Sequence, residues 1–169
     1  MQSAEVDMPL SERLRRFMDA RHIPYSLTRH RCAFRASELA SVEHLPAWEV
    51  AKTVVVFGDK KFHIVVVPAD RHVDLHELQA ALDLKHVRLA TETELGELFP
   101  DCELGAMPPV GILYHLPVYL DSELATEPMI AFNGGSHEEC IHMRMADFRK
   151  LALPTVISIA RLQLAGHGW

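Results

Sequence analysis

The chain has 169 residues, 49% hydrophobic and 24% charged, the length of one ordinary domain and the balance of a folded globular protein. That excludes a disordered tail, a collagen-like fibre and a coiled coil, and no stretch approaches the ~18 consecutive apolar residues a membrane span needs. The formal net charge of −6 hides a local excess: between Leu10 and Arg35, seven arginines (Arg13, Arg15, Arg16, Arg21, Arg29, Arg31, Arg35) face only Glu12 and Asp19, so this span carries +5 and the remainder −11.

Ser11 is a good N-cap for a first helix running to about Ala20, with Leu10, Leu14, Phe17 and Met18 repeating at helical spacing. Tyr25 to Thr28 can form a short strand after Pro24. A second helical piece begins near Ser37 and is interrupted at Pro46, and a further turn leads through Trp48 to Ala51. Two β-branched runs, Thr53–Phe57 and Phe62–Val67, are joined by Gly58-Asp-Lys-Lys61. They predict a hairpin, buried on both faces. Asp74 caps a helix carrying Leu75, Leu78 and Leu82, and Val87–Leu89 is a short strand. Thr91 and Glu94 form a capping box ahead of a helix that Pro100 ends. After a Gly/Pro loop, strands are expected at Leu116–Leu120, Met129–Phe132 and Ile141–Met145. A helix follows around Asp147–Ala152, and an apolar tail packs back on the domain. The expectation is one α/β domain over residues 1–169, its hairpins and helices alternating irregularly rather than as βαβ units.

Four features could carry chemistry. Lys52 lies in Val50-Ala-Lys-Thr-Val-Val-Val56, so it must either reach water along its stem or meet an anion inside a pocket. Gly105-Ala-Met-Pro-Pro-Val-Gly111 can present backbone N–H groups to an oxygen, or serve only as a stiff turn. Asn133-Gly-Gly-Ser-His137 is a tight bend with three hydrogen-bonding side chains, or an ordinary hairpin turn. The basic span suits brief contact with phosphates, or merely solvates a face. His137 and His142 sit at i and i+5, the wrong spacing for a helical zinc pair, so no metal and no cofactor are expected. Cys32, Cys102 and Cys140 lie far apart and read as buried, inert, free thiols in a reducing cytoplasm. The N-terminal MQSAEVDMPLSERL lacks the apolar core of a secretory signal.

Four segments taken in order resemble the YbaK family, the prolyl-tRNA-synthetase-associated editing domains. They are Ala51-Lys-Thr-Val-Val-Val56, Val67-Pro-Ala-Asp70, Gly105-x-x-x-Pro109 with Gly111, and Phe132-Asn-Gly-Gly-Ser-His137, and the likeness runs from about Ile23 to Leu153. The resemblance implies a mixed, mostly antiparallel, barrel-like sheet flanked by helices. It also implies a trans-acting hydrolase that deacylates mischarged aminoacyl-tRNA. In that reading Lys52, Gly105 and Pro109 are catalytic, with Lys52 at the ester or terminal phosphate and the loop N–H groups at the ester carbonyl. Thr53, Met107, Pro108, Gly111, Asn133, Gly134, Gly135, Ser136, His137 and His30 bind substrate. The partners would be the tRNA acceptor end and, transiently, a synthetase. The chain would be a cytoplasmic monomer or weak dimer. The alternatives are a non-catalytic module of the same fold that binds tRNA or a nucleotide-like ligand, and an esterase with no RNA partner.

Overall fold

The computed structural model describes residues 10–162. The chain opens with α1 (Leu10–Ala20), one residue ahead of the expected Ser11 cap, whose Leu14 and Met18 are fully buried one turn apart. β1 (Ser26–Arg29) and α2 (Ala36–Val42) follow. β2 (Ala51–Gly58) and β3 (Lys61–Pro68) then form the predicted hairpin in full register, from Ala51 opposite Pro68 to Gly58 opposite Lys61. Asp59 and Lys60 both take positive φ, the left-handed conformation that a two-residue turn matching strand twist requires. β4 (Arg71–Val73), α3 (Leu75–Ala81), β5 (Val87–Leu89) and α4 (Glu92–Leu98) come next. Asp74 accepts a bond from the Glu77 N–H at the start of α3, and both bonds of the Thr91/Glu94 capping box are made. β6 (Val118–Asp121), α5 (Ser122–Ala125), β7 (Met129–Asn133), β8 (Glu139–Arg144), α6 (Met145–Ala152), β9 (Thr155–Ile157) and β10 (Ala160–Leu162) complete the chain.

The strands make a five-stranded sheet ordered β5-β2-β3-β6-β9, a three-stranded sheet ordered β1-β8-β7, and a β10–β4 pair. β6 runs parallel to both β3 and β9, and the other ladders are antiparallel. The sheet is mixed and helix-flanked, as expected, but does not close into a barrel: each of the three sheets keeps two edges. Between the two larger sheets, one isolated parallel bridge joins Val50 to Ala131. β3 is buried on both faces because its residues alternate between two cores. Ile64 and Val66 enter the main core with Leu120, Phe132 and Phe148, while Val65 and Val67 meet Val73, Leu78 and Ile159 on the other side. A third, smaller core of alanines, with Leu39, Val50 and Cys140, sits under α2.

β6 starts at Val118 rather than Leu116, since the Leu116 N–H is committed to the Gly111 carbonyl and Pro117 has none to give. The expected tail packing is present up to Ala160, where Ile159 is fully buried and the Asp121 carboxylate accepts from the Ile159 and Ala160 N–H groups; the rest of the expected tail, residues 163–169, lies outside the described residues. Among the described residues no helix is long and apolar enough to cross a membrane.

Candidate active site

The N-terminal end of β2 carries Lys52 and Thr53 into a cleft of about 520 Å³. The segment Phe34 to Ser37 entering α2, together with Ala51, Ala69, Gly105, Met107 and Asn133, completes its walls. Size does not select this cleft, because hollows of about 550 Å³ beside Trp48 and 590 Å³ beside Phe57 match it. Chemistry does: five residues singled out from the sequence converge here from three separate segments. Lys52 is half-buried, and desolvation pulls its pKa below the usual lysine value, with Asp70 partly opposing the shift. Asn133 Oδ1 is buried without a hydrogen-bond partner. An acceptor in that state beside a cleft wants a donor that the described protein groups do not provide.

Gly105 is exposed with φ +87°, which only glycine adopts freely, and its N–H meets the Met107 thioether sulfur at 3.3 Å. The Ala106 N–H is spent on the Glu103 carbonyl, and Pro108 and Pro109 have no N–H. The loop can therefore offer a substrate oxygen only the Gly105 and Met107 N–H groups. This is narrower than the expectation of a donor row from Gly105 to Pro109. Pro108, Pro109 and Gly111 are buried. A Cβ on Gly111 would strike the Leu116 carbonyl oxygen, so that glycine serves packing.

The Asn133–His137 bend divides. Asn133 faces the cleft, whereas the residues after it hold the loop from behind: the Gly135 N–H donates to the Ala106 carbonyl, and the Gly135 carbonyl accepts from Glu103. Gly134 bonds back to Glu139 across the turn, and Ser136 Oγ accepts from Glu138. His137 is buried, with Nδ1 3.0 Å from the Ala33 carbonyl and Nε2 2.7 Å from that of Leu104. It ties together the two segments that carry Phe34 and Gly105, and Phe34 stacks on its ring at 5.0 Å. Its place is behind the wall.

His30 lies away from the cleft, its Nε2 3.7 Å from Glu43 Oε1. Phe34, Ala36, Ser37 and Ala69 line the cleft without having stood out in the sequence, and Arg35, expected only as part of the basic span, lines it too. Arg35 and Phe34 had a signal available, a cation and an aromatic side by side just ahead of a helix start. Of the basic span, Arg13 is committed to Asp101 and the Leu113 carbonyl, Arg16 pairs with Glu12, Arg29 pairs with Glu139, and Arg21 lies over the Phe17 ring. Arg31 and Arg35 are exposed, with no ion pair among the described residues. Of the three thiols expected to be buried, only Cys140 is: Cys32 is exposed and Cys102 half-buried. Desolvation and the carboxylates of Glu103, Glu138 and Glu38 push its pKa up, and burial pushes Cys102 to about 12, so neither is an activated nucleophile.

A family model described as the aminoacyl-tRNA editing domain matches residues 30–151. The Escherichia coli K12 protein named multifunctional Ser/Thr-tRNA deacylase ProXp-y is 28% identical over 105 residues, a match spanning 62% of each chain. Two solved structures share the fold, each at a TM-score of 0.79. One is a candidate trans-editing enzyme for prolyl tRNA synthetase, 23% identical and covering 91% of this chain and 98% of its own. The other is hypothetical protein APE2540, 19% identical and covering 88% and 99%.

Proposed function

This chain belongs to the aminoacyl-tRNA editing domain family, and on that premise we propose that it hydrolyses the ester of mischarged aminoacyl-tRNA in trans, with the Lys52 cleft as its active site. The observation that carries the reading is the convergence of a half-buried lysine, an unpartnered Asn133 Oδ1 and the exposed Gly105 backbone on one cleft. An aminoacyl ester is already activated, so the site has to orient a water or the neighbouring ribose hydroxyl and to stabilise the oxyanion as the acyl carbon becomes tetrahedral. The water oxygen bonds to the acyl carbon, the carbon–oxygen ester bond breaks, and the ribose oxygen takes up a proton. Free amino acid and uncharged tRNA leave.

In this scheme the Gly105 and Met107 N–H groups receive the oxyanion, the former giving up its weak contact with the Met107 sulfur. One such donor is typically worth ~3–4 kcal/mol. Lys52 is an electrostatic partner for the terminal phosphate or the developing charge, and its partial desolvation strengthens that attraction. Asn133 Oδ1 accepts from the substrate's α-ammonium group, which every aminoacyl ester carries. The name of the Escherichia coli relative makes seryl and threonyl esters the first to try. Incubation with a panel of mischarged tRNAs, including Ser-tRNA and Thr-tRNA, should show release of at least one amino acid above the spontaneous rate. Binding to tRNA with no hydrolysis across the panel would convert the reading to a non-catalytic module.

A further inference from the structure

Away from the cleft, the face of β8 opposite the main core holds Cys140 and His142 two residues apart, pointing the same way. Glu43, the residue that ends α2, meets them: His142 Nε2 lies 3.3 Å from Glu43 Oε2, and one donor atom from each of Glu43, Cys140 and His142 falls within 4.8 Å of the others. Thr28, paired opposite Cys140 on β1, donates its hydroxyl to Glu43 Oε1 at 2.7 Å. Only 8% of the Glu43 side chain is exposed, and no lysine or arginine among the described residues pairs with it.

His30 supplies the second, independent observation. Its side chain is 6% exposed and its Nδ1 sits 2.6 Å from the Arg31 carbonyl, a contact that requires Nδ1–H as donor. In the neutral ring Nε2 then carries a lone pair, and that atom is buried with no hydrogen-bond partner, 3.7 Å from Glu43 Oε1. A histidine held through one ring nitrogen by a carbonyl, with the other bare and aimed at a carboxylate, has the arrangement of a metal ligand.

We propose that Glu43, Cys140 and His142 form a binding site for one zinc-class divalent cation, with the fourth position open to His30 Nε2. Zinc is bound by this mixture of sulfur, nitrogen and oxygen at about 2.0–2.3 Å, which separates ligand atoms by roughly 3.3–3.8 Å in a tetrahedron. The 3.3 Å from His142 Nε2 to Glu43 Oε2 already matches that edge, and His30 Nε2 approaches the other carboxylate oxygen, Oε1, at 3.7 Å. A thiolate ligand disfavours magnesium and calcium, which take oxygen. On binding, the Cys140 thiol proton passes to solvent as the metal–sulfur bond forms, and the His142 proton moves to Nδ1 so that Nε2 coordinates. The site would clamp the end of α2 to β8, and α2 begins at the cleft wall, so its consequence is order in that helix. This inference does not depend on the proposed deacylation.

Titration of the metal-stripped full chain with cobalt(II), read by absorbance, tests it. The expected result is a thiolate-to-cobalt charge-transfer band that saturates at one equivalent and that zinc displaces. Cys140→Ala should remove the band and Cys32→Ala should keep it. Glu43→Gln and His142→Gln, which are conservative in volume, should each weaken zinc affinity by at least the roughly 10- to 100-fold typical of lost supporting groups, and they serve as the reading if Cys140→Ala does not fold. A wild-type chain without the band at stoichiometric cobalt would overturn the proposal. So would a band that survives Cys140→Ala, or affinities unmoved by both glutamine variants.

Discussion

Lys52 is held in the fold at a cost to its charged form, and that gives it a signature beyond lost activity. Lys52→Met should abolish deacylation while leaving the melting temperature equal or higher, because the variant removes a desolvated ammonium and keeps the stem. The pH dependence has a definite sign. A lysine whose folded pKa lies below its unfolded value carries its full penalty where both states are protonated. The penalty fades as pH rises from the folded towards the unfolded pKa. Lys52→Met should therefore gain most over wild type at neutral pH and lose that advantage towards pH 10.5, which denaturant titrations across this range would measure. The two loop glycines separate catalysis from packing. Gly105→Ala forces a methyl onto a φ of +87°, 3.4 Å from the His137 ring, and should lower kcat by ~10²–10³ through the misplaced N–H. Gly111→Ala should instead lower the melting temperature and leave turnover per folded molecule intact, since its methyl meets the Leu116 carbonyl and not the cleft. Equal turnover losses at matched stability would remove the distinction.

Among the elements, α4 offers a self-contained case. Its capping box joins Thr91 to Glu94, and Arg88 grips the Glu94 carboxylate at 2.7 and 3.0 Å. Arg88 first, and the Thr91 N–H next, hold that carboxyl down at about 2. A carboxyl depressed in this way stabilises the fold above its unfolded pKa, and the contribution drains away as pH falls through the folded value. The stability difference between wild type and Glu94→Gln should thus be steady above pH 5 and vanish towards pH 2. Thr91→Ala should cost about 1 kcal/mol at neutral pH, the usual worth of an N-cap. This box was fully legible in the sequence because a cap is decided by residues three apart, and the β2–β3 hairpin was legible because its β-branched runs are long. The three-residue β4, β9 and β10 were not, unlike β5, whose Val87 and Leu89 flank an arginine in strand alternation. They exist because segments distant in sequence supply their partners: β6 pairs with β9, β10 pairs with β4, and Asp121 holds the start of β10. The cleft shows the same division. Lys52 and Gly105 stood out through local oddity, an amine among valines and a glycine among prolines. The Phe34–Ser37 wall came from tertiary placement, and His30 and His142 could not be matched to Glu43 because β-pairing across 114 residues brings Thr28 to His142.

For the molecule as a whole, the basic span is less a patch than its composition suggests. Arg13 is committed to Asp101 and the Leu113 carbonyl and Arg29 spends its charge on a surface pair with Glu139, so tRNA affinity should depend on salt through few contacts. Arg31→Ala and Arg35→Ala should each flatten the log–log salt slope by about 0.7–0.9, as measured by filter binding. Arg13→Glu should chiefly lower the melting temperature by uncoupling α1 from Asp101. The two larger sheets raise a different matter. Their only ladder contact among the described residues is the bridge from Val50 to Ala131, while apolar side chains from both fill the main core. With a single bridge to break, the ladder edge at that seam should open before the interior of either sheet, whose amides are held by strands on both sides. Lys52 belongs to one sheet and Asn133 to the other. Amide exchange should divide along that seam: β3 exchanges slowest, and protection of Val50 and its neighbours reports the spacing of the cleft walls, so a substrate bridging them would register as slowed exchange at residues it never touches.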